Sequence, residues 1–197
     1  RVWPDRDEKA LASWNGMMLT AFAEASFVLQ RADFNQTAEN NARFLVKGLM
    51  SDGGLLRSWR SGSAKVNAFV EDYATVTEGL LTLFEVTGRS EWLSHADRLM
   101  KRQYELFRDP EQGDFFFTAS DHETLLVRHK EHMDNATPSG NSTTCLNLLR
   151  LARLLGEEEY QREAERMLRV KSLSMSKHTL AFGYWLQALD FCMGPVK

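Results

Sequence analysis

Three short runs gather polar and aromatic side chains: Ser13-Trp14-Asn15-Gly16, Glu71-Asp72-Tyr73-Ala74 and Pro138-Ser139-Gly140-Asn141-Ser142. Lys177-His178-Thr179 is a fourth candidate of the same kind. Such a set suits a sugar. Rings stack on Trp and Tyr, and hydroxyls hydrogen-bond to amides and carboxylates. Acid–base chemistry needs a positioned carboxylate or imidazole. Glu71, Asp72 and His178 are therefore the expected acid–base groups. Trp14 and Tyr73 are expected to stack on a ligand, and Asn15 and Asn141 to orient hydroxyls. Asp7, Asp134 and Ser139 complete the expected binding set. Helix capping competes with this reading, because Asp, Asn and Ser at a helix start accept backbone N–H bonds. Pro138 and Ser139 suit a helix start for the same reason. Capping explains Trp14, Tyr73, Asn15 and Asn141 less well, since these fall inside the first turn.

Other chemistries find less support. His129 and His132 are three apart with Asp134 close by, but the local pattern reads as strand or loop, and no metal site is expected. His95 and His122 read as surface residues. Cys145 and Cys192 lie in apolar helical patterns and read as free thiols, with no CxxC pair. No phosphate loop, G-x-S-x-G or H-E-x-x-H is present. No cofactor is expected. The net charge is −3 and no basic run exceeds two residues, which argues against nucleic acid and anionic membranes as partners. No apolar run approaches the ~20 residues of a membrane span. The charged start RVWPDRDEK is unlike a signal peptide, so a cytoplasmic location is expected. The absence of an initial Met reads as a fragment of a longer protein.

The elements that would position these residues come from an internal repeat. ADFNQTAEN (32–40), SEWLSHADR (90–98) and EEYQREAER (158–166) align on an aromatic, Phe34, Trp92 or Tyr160, followed four residues later by Ala38, Ala96 or Ala164. Asn15, Tyr73 and Asn141 each stand nineteen residues before their aromatic. Each repeat holds two helices. The first type, near 14–30, 71–87 and 139–155, is apolar on most faces. The second, near 34–50, 90–107 and 157–172, carries one apolar stripe. A lone helix near 178–193 would open a fourth pair. Helices apolar all round belong to an inner ring, and striped ones to an outer ring. Short turns make each pair antiparallel, so all inner helices start at one end. The long connectors there, 53–70 and 113–131, read as β-hairpins. The predicted fold is all-α: one partial α/α toroid over 1–197, with short β-hairpins at the inner-helix N-terminal end.

RVWPDRDEKALASWNGMMLTAFAEA (1–25), FVEDYATVTEGLLTLFEVTG (69–88) and DNATPSGNSTTCLNLLRLARLLG (134–156) together resemble the C-terminal part of the spermatogenesis-associated, thioredoxin-domain protein family. The resemblance covers nearly the whole chain. It implies a partial six-hairpin barrel similar to N-acylglucosamine 2-epimerases and six-hairpin glycosidases, with a thioredoxin-like domain preceding it in the full protein. Asp7, Lys9, Trp14, Asn15 and Gly16 match the first motif. Glu71, Asp72 and Tyr73 match the second, and Asp134, Pro138, Ser139, Gly140, Asn141 and Ser142 the third. The expected function is a carbohydrate-active or sugar-binding toroid of epimerase or isomerase type, with its site at the inner-helix N-termini. One alternative is a non-catalytic scaffold that presents clients to the thioredoxin-like domain. Another is glycoside hydrolysis, which needs two carboxylates across the scissile bond. An open arc would expose apolar inner-helix faces, and self-association of the fragment follows from that.

Overall fold

Two helices in the middle of the chain are buried on nearly every face, and the rest of the molecule is arranged around them. In α3 (Val70–Thr87) thirteen residues between Val70 and Leu83 are buried; in α5 (Gly140–Leu155) every residue from Gly140 to Ala152 is. Both stop at a glycine with positive φ, Gly88 at 66° and Gly156 at 73°, a conformation that ends a helix at little cost only for glycine. Each is paired with an amphipathic outer helix, α4 (Ser90–Phe107) or α6 (Glu158–Lys177). The outer helices turn one stripe inward: Trp92, Ala96, Leu99 and Met100 on α4, and Tyr160, Ala164, Met167 and Leu168 on α6. A third pair, α1 (Ala12–Val28) and α2 (Ala32–Phe44), packs on the α3 side. The repeat alanines Ala38, Ala96 and Ala164 are all fully buried, as a small residue at a close helix contact requires.

The computed structural model describes residues 3, 4, 7–51, 53–123 and 126–194. Within them the inner helices α1, α3 and α5, with α7 (Gly183–Met193), line one side of an open α/α arc. A small antiparallel sheet sits at their N-terminal end. Its strands are β1 (Ala10–Leu11), β2 (Met50–Ser51), β3 (Gly54–Arg60) and β4 (Ser63–Asn67), with β3 pairing with each of the others. The β3–β4 hairpin closes through Ser61-Gly62, both at positive φ, the two-residue turn that matches strand twist.

Five expectations are corrected. The second connector, 113–131, is not a regular hairpin among the described residues. Scattered bonds hold it instead of a ladder: Phe116 donates to the Phe107 carbonyl, Phe117 to that of His129, and the Arg128 guanidinium to those of Leu106 and Thr118. Buried Asp114 pins this loop to α6, paired with Lys130, with His132 at 2.7 Å and with Lys171 at 3.1 Å. The first outer helix ends at Phe44 and widens into a π turn over Leu45–Leu49. The third outer helix runs on to Lys177. The last helix then begins at Gly183, after a 3₁₀ turn at Thr179–Ala181, and not at 178. Finally, His95 and His122 are half-buried, His122 packing against Phe69 with ring centres 5.1 Å apart.

Candidate functional site

The motif carboxylates stand where inner helices start, and their bonds run between those starts. Asp72, in the first turn of α3, has no exposed surface. Its carboxylate accepts the backbone N–H of Phe69 at 2.9 Å and that of Ser13, in α1, at 3.0 Å. Arg57 of β3 donates to it at 3.0 Å and to Glu71 at 2.8 Å. One buried side chain thus ties two inner helices and the hairpin together. Burial raises the Asp72 pKa, and the Phe69 N–H and the Arg57 guanidinium only partly offset that. Asp134 repeats the construction further along the chain. It accepts from the backbone N–H of Ser139 at 2.9 Å, from the Ser142 hydroxyl at 2.6 Å and from the backbone N–H of Tyr184 at 2.8 Å. It therefore joins the starts of α5 and α7. Ser139 is the N-cap of α5, its hydroxyl accepting from the Ser142 N–H at 3.1 Å.

The three repeat-equivalent positions have a shared task. Asn15 donates to the Leu11 carbonyl at 2.8 Å. The Tyr73 hydroxyl accepts from the Leu55 N–H at 2.8 Å, and its buried ring meets Phe107 edge-on. Asn141, fully buried, accepts from the Phe115 N–H at 2.8 Å and donates to the Phe115 and Glu131 carbonyls. Each anchors a segment that precedes its own helix. Tyr73 is therefore almost wholly buried and Asn141 fully so.

The remaining expected residues do not join them. Trp14 is 64% exposed on α1. Asp7 is exposed and pairs with Lys9 at 3.3 Å. His178 is exposed at the C-terminal end of α6, its N–H bonded to the Ser174 carbonyl, and does not start an inner helix. His129 stacks on Phe117 while His132 bonds Asp114, so these histidines and Asp134 do not converge on one point. Among the described residues no group of three or more metal-ligating side chains comes together.

A cavity of about 560 Å³ lies instead on the concave face, between the inner helices. Glu24 and Phe27 line it from α1, Glu78 and Glu85 from α3, Arg150 from α5, and Tyr184 and Phe191 from α7. Glu78 is 6% exposed, and the Tyr184 hydroxyl donates to its carboxylate. Burial raises the Glu78 pKa; Tyr184 and Arg150 lower it, and Glu24 raises it further. Arg150 makes a bidentate pair with Glu85 at 3.1 and 2.9 Å and bonds the Thr82 hydroxyl at 3.0 Å. Two carboxylates in unlike surroundings, one desolvated and one ion-paired, form the pattern from which acid and base roles are built. The reading of helix starts missed this site. Its signal was a lone acid in ATVTEGLLTL and a lone base in CLNLLRLA, charges inside otherwise buried helices.

No family model matches the chain. The curated protein spermatogenesis-associated protein 20 of Rattus norvegicus is 36% identical over 195 residues, covering 93% of this chain and 25% of its own length. The Homo sapiens protein of the same name is 33% identical over 201 residues, with 96% and 26% covered. Among solved structures, a cellobiose 2-epimerase from Spirochaeta thermophila superposes with a TM-score of 0.69 at 18% identity, over 85% of this chain and 44% of that one. A family GH76 α-mannanase from Bacteroides thetaiotaomicron gives 0.72 at 15% identity, over 95% and 52%. A D-mannose isomerase gives 0.64 at 16%, over 83% and 43%. At these identities the superpositions establish the α/α-toroid fold. The chain is homologous to a part of spermatogenesis-associated protein 20 and spans about a quarter of the length of the rat and human proteins.

Proposed function

We propose that this segment is a carbohydrate-binding, epimerase- or isomerase-like toroid whose ligand lies against the concave face of the inner helices. The observation that carries the reading is the buried Glu78 carboxyl, held by Tyr184 in a cavity that also contains the Arg150–Glu85 pair. A desolvated carboxyl keeps its proton to higher pH and can give it to, or take it from, a sugar hydroxyl or the carbon beside a carbonyl. Phe27 and Phe191 offer apolar faces for a sugar ring. In this reading Asp72, Tyr73, Asp134 and Asn141 build the arc, while at the inner-helix N-termini Trp14 is exposed and Glu71 is half-buried against Arg57. Fold kinship with an epimerase, a mannanase and a mannose isomerase supports the ligand class by analogy.

The test is a sugar-library binding screen on the full-length protein, followed by Glu78→Gln and Glu71→Gln. Loss of binding in the first variant with retention in the second supports the concave site. The opposite result returns the site to the inner-helix N-termini, and a screen in which no sugar binds overturns the reading. A scaffold role is a second reading. It draws on the apolar face that α1 leaves exposed at Trp14, Met18 and Val28, and it expects protein clients to bind there without any sugar.

A further inference from the structure

Asp134, at the start of the third sequence motif, does not line the concave cavity, yet one chain of bonds connects it to the cavity carboxyl of Glu78. α7 has no side chain of its own capping its start. The first N–H groups of a helix lack partners within the helix. Asp134 satisfies one of them from outside, accepting the Tyr184 N–H at 2.8 Å. The same stretch grips this turn twice more. The Asp134 N–H donates to the Ala181 carbonyl at 2.8 Å, and the buried Trp185 indole donates to the His132 carbonyl at 2.7 Å. The phenol of Tyr184 leaves this clamped turn and reaches Glu78 on α3.

We propose that Asp134 is a positioning residue for the Glu78 carboxyl, acting through Tyr184: it fixes the first turn of α7 and so the hydroxyl that bonds Glu78. The proposal rests on Glu78 being the group that meets the ligand. The charged and titratable groups facing Glu78 are Tyr184 from α7, Arg150 from α5 and Glu24 from α1. Of these, only Tyr184 has its backbone held by Asp134. A purely structural account would confine Asp134 to capping α5 through Ser139 and Ser142. It predicts no effect on a carboxyl in the cavity.

The experiment follows the Glu78 carboxyl by NMR in full-length protein labelled with carboxyl-¹³C glutamate, the resonance being identified by its loss in Glu78→Gln. A hydrogen bond to a carboxylate favours the ionised form, so Tyr184→Phe raises the titration midpoint by about one pH unit. Asp134→Asn raises it too, and adds nothing in the Tyr184→Phe background. Ser139→Ala removes the α5 cap and a long 3.4 Å bond to the His132 carbonyl but keeps the Asp134 bond to the Tyr184 N–H, and it leaves the midpoint in place. Asp134→Glu keeps the charge but displaces the turn; it raises the midpoint and serves if Asp134→Asn fails to fold. An unchanged midpoint in a folded Asp134 variant overturns the proposal, as does an equal rise with and without Tyr184. The titration needs no ligand. A negative result here leaves the sugar site standing, and a failed sugar screen leaves this result readable.

Discussion

Asp72 and Glu78 are both buried acids on α3, six residues apart, and their surroundings assign them different work. Asp72 is saturated by two backbone N–H groups and a guanidinium, so its carboxylate holds helices together. Glu78 has one phenol and faces open volume. Its pH behaviour follows. Burial holds the folded pKa above the ordinary glutamate value of 4.5. Over the window from 4.5 up to that raised value the folded chain binds more protons than the unfolded one, so stability falls as pH rises. Glu78→Gln keeps an acceptor for Tyr184 and removes the titration. The variant is therefore expected to lose less stability than the parent across that window, and to be the more stable of the two at neutral pH. Urea unfolding at several pH values checks this, and parallel curves for the two proteins would refute it.

At the scale of elements, the loops are held by side chains as much as by backbone pairing. Asn141 supplies three of the bonds that keep the 113–131 connector in place, and the two to Phe115 are shielded from water. Asn141→Ala leaves the Phe115 N–H without its partner and is expected to cost about 2–3 kcal/mol. Hydrogen exchange at Phe115 should accelerate well beyond that of the mid-helix α3 amides, whose partners lie within that helix. Repeat equivalence made Asn15, Tyr73 and Asn141 legible as a set. It could not tell which group each would bond. That depends on loops of different length and composition, one forming a sheet with β1 and the other folding back on Leu106 and Phe107.

At the scale of the molecule, the flanking inner helices differ from the central pair. α3 and α5 have neighbours on both sides, whereas α1 presents Trp14, Met18 and Val28 on one exposed face. These lie within one stripe at 100° per residue, with Ala21 and Ala25 between them. An exposed apolar face of this kind drives association. The 197-residue chain is expected to form dimers or larger species as concentration rises. Trp14→Glu with Val28→Glu should return it toward monomer in sedimentation experiments. A parent that stays monomeric at high concentration would count against the prediction. No helix among the described residues is long and apolar enough to cross a membrane.

The amino-acid sequence by itself determined the helix pairs, the split into fully apolar and striped helices, and the common end at which inner helices begin. These follow from local periodicity, because burial repeats with the helix and each short turn reverses direction. It also picked out the residues at those helix starts. Only the tertiary structure decided what they do, since capping and ligand binding draw on the same polar side chains. Asp72 and Asp134 turned out to bridge neighbouring helices. The Glu78–Tyr184 contact joins residues 106 positions apart, and it exists because α7 docks where Asp134 and the His132 carbonyl hold it. No local pattern encodes that distance; the relative placement of α3 and α7 creates it.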